Sequence, residues 1–142
     1  MSEASLQSLS PAQVVDEFLR VIMIPDPAGA RRFVAPGLRI RFTGGRAMSD
    51  PAECSAFNAT RYRWVKKRIE RTETVGGGSD DETVVYSLGT LYGEWPDGTP
   101  FKDNRYVDRY VVSHGLITQM EVWNDSAEWL LEPGLQARAA EA

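Results

Sequence analysis

The sequence is poor in the residues that build many common functional sites. Its 142 residues include one cysteine, Cys54, and one histidine, His114. A single cysteine excludes an internal disulfide bond. A single histidine, with no second histidine and no nearby cysteine, does not supply the ligands of a typical zinc site. We therefore expect Cys54 to be a packed, inert thiol, His114 to be a turn residue, and the protein to bind no metal and no cofactor.

Long apolar runs and an excess of positive charge are also missing. No run of about 18 apolar residues is present to cross a membrane, and the formal net charge is −4. Because most nucleic-acid and membrane-surface proteins carry a dominant basic face, we expect neither partner. One basic run does occur: Arg61, Arg63, Lys66, Lys67, Arg68 and Arg71. We expect its charges to be scattered over a solvated surface, with the alternative that some of them steer an anionic substrate toward a binding site.

The first ten residues lack the basic and apolar segments of a signal peptide. Together with the single thiol, which suits a reducing compartment, this composition predicts a cytoplasmic protein.

The order of predicted elements indicates an α+β fold. Ser10-Pro11 is a typical helix start, Asp26-Pro27 begins a second helix that runs to about residue 34, and Ser49-Asp50-Pro51 begins a third that ends near Trp64. Alternating residues predict one early strand at 38–42. Four further strands follow the third helix, at 66–75, 82–95, 101–112 and 116–123. Three helices packed in the concave face of a curved, mostly antiparallel sheet would leave a cup between the two layers.

Asp108 lies in the middle of a predicted strand, where aspartate is unfavourable. Side-chain alternation places it on one face with Asn104, Tyr106, Tyr110 and Val112. This face is semi-polar and aromatic, which is typical of a ligand pocket with a few placed polar groups. In the last strand, one face carries Thr118, Met120, Val122 and Asn124. An alternative is that Asp108 pairs with an arginine and has a structural role.

The segment YVDRYVVSHGLITQMEVWN, residues 106–124, resembles the corresponding strand, turn and strand of ketosteroid isomerases. A central aspartate precedes a Gly-x-Ile turn, and a methionine and an aromatic residue follow. The element order over residues 12–130 resembles the wider nuclear transport factor 2-like superfamily, which includes SnoaL-like polyketide cyclases and limonene epoxide hydrolases. The resemblance implies a single domain over 1–142, folded as a cone-shaped α+β barrel, with loose termini at about 1–9 and 133–142.

The resemblance also implies roles for individual residues. Asp108 takes the place of the isomerase's protonated, hydrogen-bond-donating aspartate, and Met120 and Asn124 fall on the pocket wall. At the positions of the isomerase's oxyanion tyrosine and general-base aspartate, this chain has Phe18 and Phe42, which would form apolar walls.

The last strand lacks an acid that related folds carry. At the carboxylate position of the epoxide hydrolases this chain has Val122, another wall residue. The acid that phenazine-biosynthesis proteins have near this position would be present only if a slip of one residue turned Glu121 inward.

Two functional hypotheses follow. In the first, the protein is a cofactor-free isomerase, cyclase or dehydratase for a small hydrophobic molecule. Asp108 and Tyr106 would be its catalytic residues, with Asn104 orienting the ligand. Tyr62 and Tyr86 are further candidates for ligand contact, although packing in the core accounts for both as well.

In the second hypothesis, the protein is a non-catalytic cup for a small apolar ligand, or a dimeric adaptor. Its convex sheet face, with Glu121 and Trp123, would then bind a second copy of the chain. A homodimer through this face is expected under either hypothesis.

Overall fold

The computed structural model describes residues 9–132 and 134. Within them the chain forms helices and strands in this order: α1 (Pro11–Ile22), α2 (Pro27–Ala30), β1 (Val34–Phe42), β2 (Arg46–Met48), α3 (Pro51–Arg61), β3 (Trp64–Gly76), β4 (Glu82–Glu94), β5 (Pro100–Ser113), β6 (Leu116–Asn124) and α4 (Ser126–Leu131).

The six strands form one mixed sheet in the order β2-β1-β6-β5-β4-β3. Strands β1 and β6 run parallel, and every other pair is antiparallel. The predicted α+β cone with a mostly antiparallel sheet is confirmed. The sheet is not closed, however, because β2 and β3 remain as its two edges.

The helices cover the inner face of the sheet. Helix α1 begins at the predicted cap: the Ser10 hydroxyl accepts from the Gln13 amide at 3.2 Å, and the Gln13 side chain accepts from the Ser10 amide at 2.8 Å. These bonds satisfy amides that the first helical turn leaves unpaired. The apolar stripe of α1 is buried against β-strand residues such as Val85 and Ile117. Burial of each such side chain contributes roughly 1.5–3 kcal/mol.

A second, aromatic core lies at the other end of the sheet. The rings of Trp95 and Phe101 are stacked with centroids 4.1 Å apart, and Tyr62 stacks on Trp95 at 5.6 Å. Trp129 from α4 packs into the same cluster. The sequence interpretation assigned no element to α4. A six-residue helix is marginal by itself, so this packing stabilises it.

Several predicted boundaries were wrong. Helix α2 has only four residues, a 3₁₀ turn over Arg31–Phe33 follows it, and β1 begins at residue 34 instead of 38. Helix α3 ends at Arg61, so Trp64 lies in β3 and not at a helix end. Tyr62 is already extended, with φ −132° and ψ 151°, because its ring packs into the aromatic cluster. Tertiary packing therefore ends the helix where local sequence does not.

Strand β3 approaches β4 closely because β4 has glycines at two positions. A Cβ atom at Gly89 would lie 2.0 Å from the carbonyl oxygen of Arg68, and one at Gly93 would lie 2.1 Å from that of Trp64. Between these contacts, Lys67 is paired with Leu91. The two glycines thus permit the close approach, and the pairing with the buried Leu91 places Lys67 on the inner face.

Most of the termini predicted to be loose lie outside the described residues. Leu9, which is described, packs against the core.

Within the described part of the chain, no helix combines the length and apolarity needed to cross a membrane.

Candidate functional site

Asp108 lies in the centre of the inner face and has no exposed surface. Its register partners are Ser87 on β4 and Val122 on β6. The Oδ2 atom forms an ion pair with Lys67 Nζ and accepts a hydrogen bond from the Tyr110 hydroxyl at 3.0 Å. The Oδ1 atom is buried and has no hydrogen-bond partner among the described residues. Buried polar atoms in native proteins are nearly always paired, so Oδ1 is an acceptor without a donor from the described chain.

Lys67 lies between Asp108 and a cavity. Only 15% of its side chain is exposed. Its ammonium lies 4.4 Å from the centroid of the Tyr106 ring, a distance typical of a cation–π contact. The Tyr106 hydroxyl in turn lies 2.9 Å from the Ser87 hydroxyl. The expectation that the whole basic run is solvated was therefore wrong for Lys67, because strand alternation turns this residue inward.

The cavity beside this pair has a volume of about 230 Å³ and is bounded by α1, β1, α3, β3 and β6. Its wall is mainly apolar, with Leu19, Phe42, Met120 and Val122 among its residues. This volume is below that of typical ligand pockets, which measure roughly 300–1,000 Å³. The space therefore suits a small molecule. Lys67 lines the cavity and Asp108 does not. The carboxylate is therefore connected to the cavity by its contact with Lys67 and does not itself form part of the wall.

Five residues predicted to contact a ligand do line the cavity: Phe42, Tyr62, Met120, Val122 and Asn124. The alternative register, in which Glu121 replaces Val122, does not occur. Glu121 lies on the outer face of the sheet and pairs with Arg109 at 3.2 Å.

Other predicted residues are placed elsewhere. Phe18 packs against Tyr110 in the core, with ring centroids 6.1 Å apart. Asn104 is buried and donates to the Ser126 hydroxyl at 2.8 Å. Tyr86 is paired with Arg109 on the outer face, so the prediction that it reaches the cavity was wrong. Tyr106 lies behind Lys67 and does not form part of the wall.

A hydrogen-bond cluster connects the cavity to α4. The hydroxyls of Tyr62 and Ser126 are 2.5 Å apart, and the Ser126 amide donates to the Asn124 side chain at 3.1 Å. Since Tyr62 and Asn124 both line the cavity, the start of α4 stabilises one end of the cavity wall. The sequence interpretation missed Ser126, although Asn124-Asp125-Ser126 has the residue types that begin helices.

Burial keeps one thiol and two tyrosine hydroxyls in this region neutral. It raises the pKa of the Cys54 thiol to about 12, as expected for an inert, packed thiol. It also raises the pKa of Tyr106 to about 12. Burial together with the Asp108 charge holds the pKa of Tyr110 well above its usual range. Both tyrosines are therefore hydrogen-bond donors at neutral pH and not bases.

His114 occupies a turn with a left-handed φ of 52°. Its Nε2 atom lies 3.9 Å from an Asp81 carboxylate oxygen, and both side chains are largely exposed. Among the described residues, no group of three or more histidine, cysteine, aspartate or glutamate side chains is arranged to hold a metal ion.

No protein family profile and no curated protein matches this sequence. Solved structures do match its fold. An NTF2-like protein of unknown function from Burkholderia pseudomallei is 21% identical, over 86% of this chain and 96% of that one, with a TM-score of 0.66. The chain has the nuclear transport factor 2-like fold.

Two further structures with this NTF2-like fold have names that suggest a reaction. A candidate SnoaL-like polyketide cyclase from Jannaschia sp. CCS1 is 19% identical, over 87% of this chain and 94% of that one, with a TM-score of 0.60. A candidate ketosteroid isomerase from Shewanella frigidimarina is 16% identical, over 82% and 97%, with a TM-score of 0.63. At such identities the likeness establishes the NTF2-like fold and not the activity, since this fold hosts many chemistries.

Proposed function

We propose that this protein binds a small, mostly apolar molecule in the cavity and catalyses a proton transfer to or from a carbon atom of that molecule. The reaction would need no cofactor, and Asp108 would be the acid or base. The observation that carries the proposal is the fully buried Asp108 carboxylate. One of its oxygens has no donor among the described residues, and Lys67, which pairs with the other oxygen, lines an apolar cavity. A buried carboxylate that contacts a cation in the wall of an apolar cavity is a candidate functional group.

The proposed chemistry uses the pair in two ways. The Lys67 ammonium donates to an oxygen atom of the bound molecule and stabilises the negative charge that this oxygen carries or that develops on it in an enolate. This movement draws the lysine away from Asp108, whose freed oxygens then exchange a proton with the adjacent carbon. Tyr110 keeps its hydrogen bond to Asp108, and the Tyr106 ring positions Lys67. Isomerisation, cyclisation and dehydration can all begin with such a step.

The test is exchange of the α-protons of small cyclic ketones, such as 2-tetralone, with deuterated solvent, followed by NMR. We expect the protein to accelerate exchange and Asp108→Asn to lower the enzymatic rate by about 10²–10⁴-fold, the usual contribution of a general base. Asp103→Asn is the matched control. Asp103 is exposed on the same strand, and its φ of 62° suits asparagine.

Two outcomes would contradict the catalytic role. Exchange at the wild-type rate in Asp108→Asn would show that another group is the base. Ketone binding without any exchange by the wild-type protein would leave a binding protein and no enzyme. Thermal unfolding of each variant confirms that the fold is intact.

The second candidate function is a non-catalytic binding protein or dimeric adaptor. It is favoured by the ion pair that neutralises Asp108 and by the outer sheet face. On that face Trp123 is 51% exposed, and the half-buried Arg109–Glu121 pair lies nearby. We propose that this face binds a second copy of the chain, since large exposed aromatic residues are typical of interface centres.

We expect Trp123→Arg to weaken this dimer by at least about 2 kcal/mol, the scale of an interface hot spot. Sedimentation measured over a range of protein concentrations would show the shift from dimer to monomer. Leu131→Arg is the control, because Leu131 is 84% exposed on α4 and outside the sheet. A wild-type protein that sediments as a monomer at every concentration tested would contradict the proposal.

A further inference from the structure

The charged residues that line the cavity are all of one sign. Arg63, Lys66 and Lys67 contribute to its wall, and no aspartate or glutamate is found among the described lining residues. This is notable in a chain whose formal net charge is −4. A cleft lined by one sign of charge with apolar walls concentrates ligands of the opposite sign.

The three cations are not equivalent. Arg63 pairs with Glu94 at 3.6 Å, and its side chain is 58% exposed. Lys66 is exposed and is paired in register with Tyr92, on the opposite strand face from Lys67. Both residues therefore contribute charge near the surface. Lys67 is the cation that reaches the buried part of the wall.

The ammonium of Lys67 has a donor left for a ligand. It carries three N–H groups. One is directed to Asp108 Oδ2, and a second side of the ammonium faces the Tyr106 ring. Because Lys67 also lines the cavity, its third N–H can be directed to a ligand there. An apolar molecule lying against Phe42, Met120 and Val122 would thus meet one charged hydrogen-bond donor.

We infer that the preferred ligand is a small apolar molecule that carries one anionic oxygen group, such as a carboxylate, and that Lys67 recognises this group. The inference rests on the proposed use of the cavity as a ligand site and adds the chemical class of the ligand. A charge-assisted hydrogen bond in a dry site is stronger than a neutral one. A neutral molecule of the same shape therefore binds more weakly.

The test compares matched anionic and neutral probes: benzoate with benzamide, and 2-naphthoate with 2-naphthamide, by titration calorimetry at pH 7.5. We expect the wild-type protein to bind the carboxylate at least about tenfold more tightly, as one charged hydrogen bond provides. In Lys67→Met this preference is lost. The exposed Lys102 provides the matched control, and Lys102→Met, which makes the same change in net charge, keeps the wild-type preference.

A double variant separates the ammonium itself from local net charge. Lys67→Met leaves the Asp108 carboxylate without its counter-ion, and this charge by itself would repel an anion. Lys67→Met combined with Asp108→Asn removes both charges, so the sum of charge at the site stays that of the wild-type pair. Loss of the carboxylate preference in this double variant supports direct recognition by Lys67.

Three results would overturn the inference, and they are distinguishable. Equal binding of carboxylate and amide by the wild-type protein removes the anion preference but leaves the cavity as a ligand site. A preference that survives in the double variant assigns recognition to another cation. Failure of all four probes to bind overturns the proposed ligand site, and the inference with it.

Discussion

Lys67→Met is expected to lower the free energy of unfolding by about 3–5 kcal/mol, the cost of removing one partner of a buried ion pair. Asp108 has no exposed surface, and without Lys67 the Tyr110 hydroxyl is the one donor to its Oδ2 atom that remains among the described residues. The carboxylate would remain buried without a counter-ion. Urea denaturation of wild type and variant, with the slope m unchanged, measures the difference.

Two comparisons decide whether the buried charge is the cause. Adding Asp108→Asn to Lys67→Met is expected to recover most of the lost stability, because a neutral pair of similar shape has no charge to desolvate. Asp108→Asn alone is expected to cost less than Lys67→Met, since a lysine can extend its charged end toward the cavity. Lys102→Met, on the surface, should change stability by no more than about 0.5 kcal/mol. A loss below about 1 kcal/mol in Lys67→Met would contradict a buried pair.

Trp129→Ala is expected to cost about 3–5 kcal/mol, the usual range for removing a buried tryptophan. Trp129 is 8% exposed and packs in the aromatic cluster that includes Tyr62, Trp95 and Phe101. The cost arises because the empty space left by the Trp129 ring would not be filled by the closely packed aromatic side chains around it. Thermal or urea denaturation measures this change.

Leu131→Ala provides the matched control, because Leu131 lies on the same helix and is 84% exposed. We expect a change within about 0.5 kcal/mol there. Trp129→Ala should also weaken binding in the cavity, since α4 holds Tyr62 through Ser126. Similar losses in both variants would contradict a stabilising role for the packing of Trp129 in the aromatic cluster, since alanine has a higher helix propensity than either residue that it replaces.

Some features of the site were predictable because they depend on periodicity. Alternation along β6 predicted that Met120 and Val122 share a face, and the resemblance to related folds implied that this face and Asp108 point inward. The structure places all three side chains inside. Tyr86 was a candidate for ligand contact without any analysis of alternation along β4 or of its register. One paired residue, Arg109, shows that Tyr86 belongs to the outer face.

The contacts of Asp108 were less predictable. The sequence interpretation considered an arginine as a partner, whereas the structure provides Lys67, 41 residues away. That residue lies in a run of six basic side chains, and composition does not distinguish the one that turns inward. The register of β3 and β4 decides it, because Lys67 is paired with Leu91, which is buried on the inner face.

The sequence by itself determined the start of α1 at Ser10, the strand alternation around Asp108 and the α+β element order, because capping and periodicity depend on residues near one another in the chain. Only the tertiary structure decided that Lys67 neutralises Asp108 and that Tyr62 lies outside α3 and is hydrogen-bonded to Ser126. The same holds for the positively charged residues that line the cavity. Those features depend on strand register and on packing between distant segments. Register is set collectively, since a shift of one residue moves every side chain of a strand to the other face.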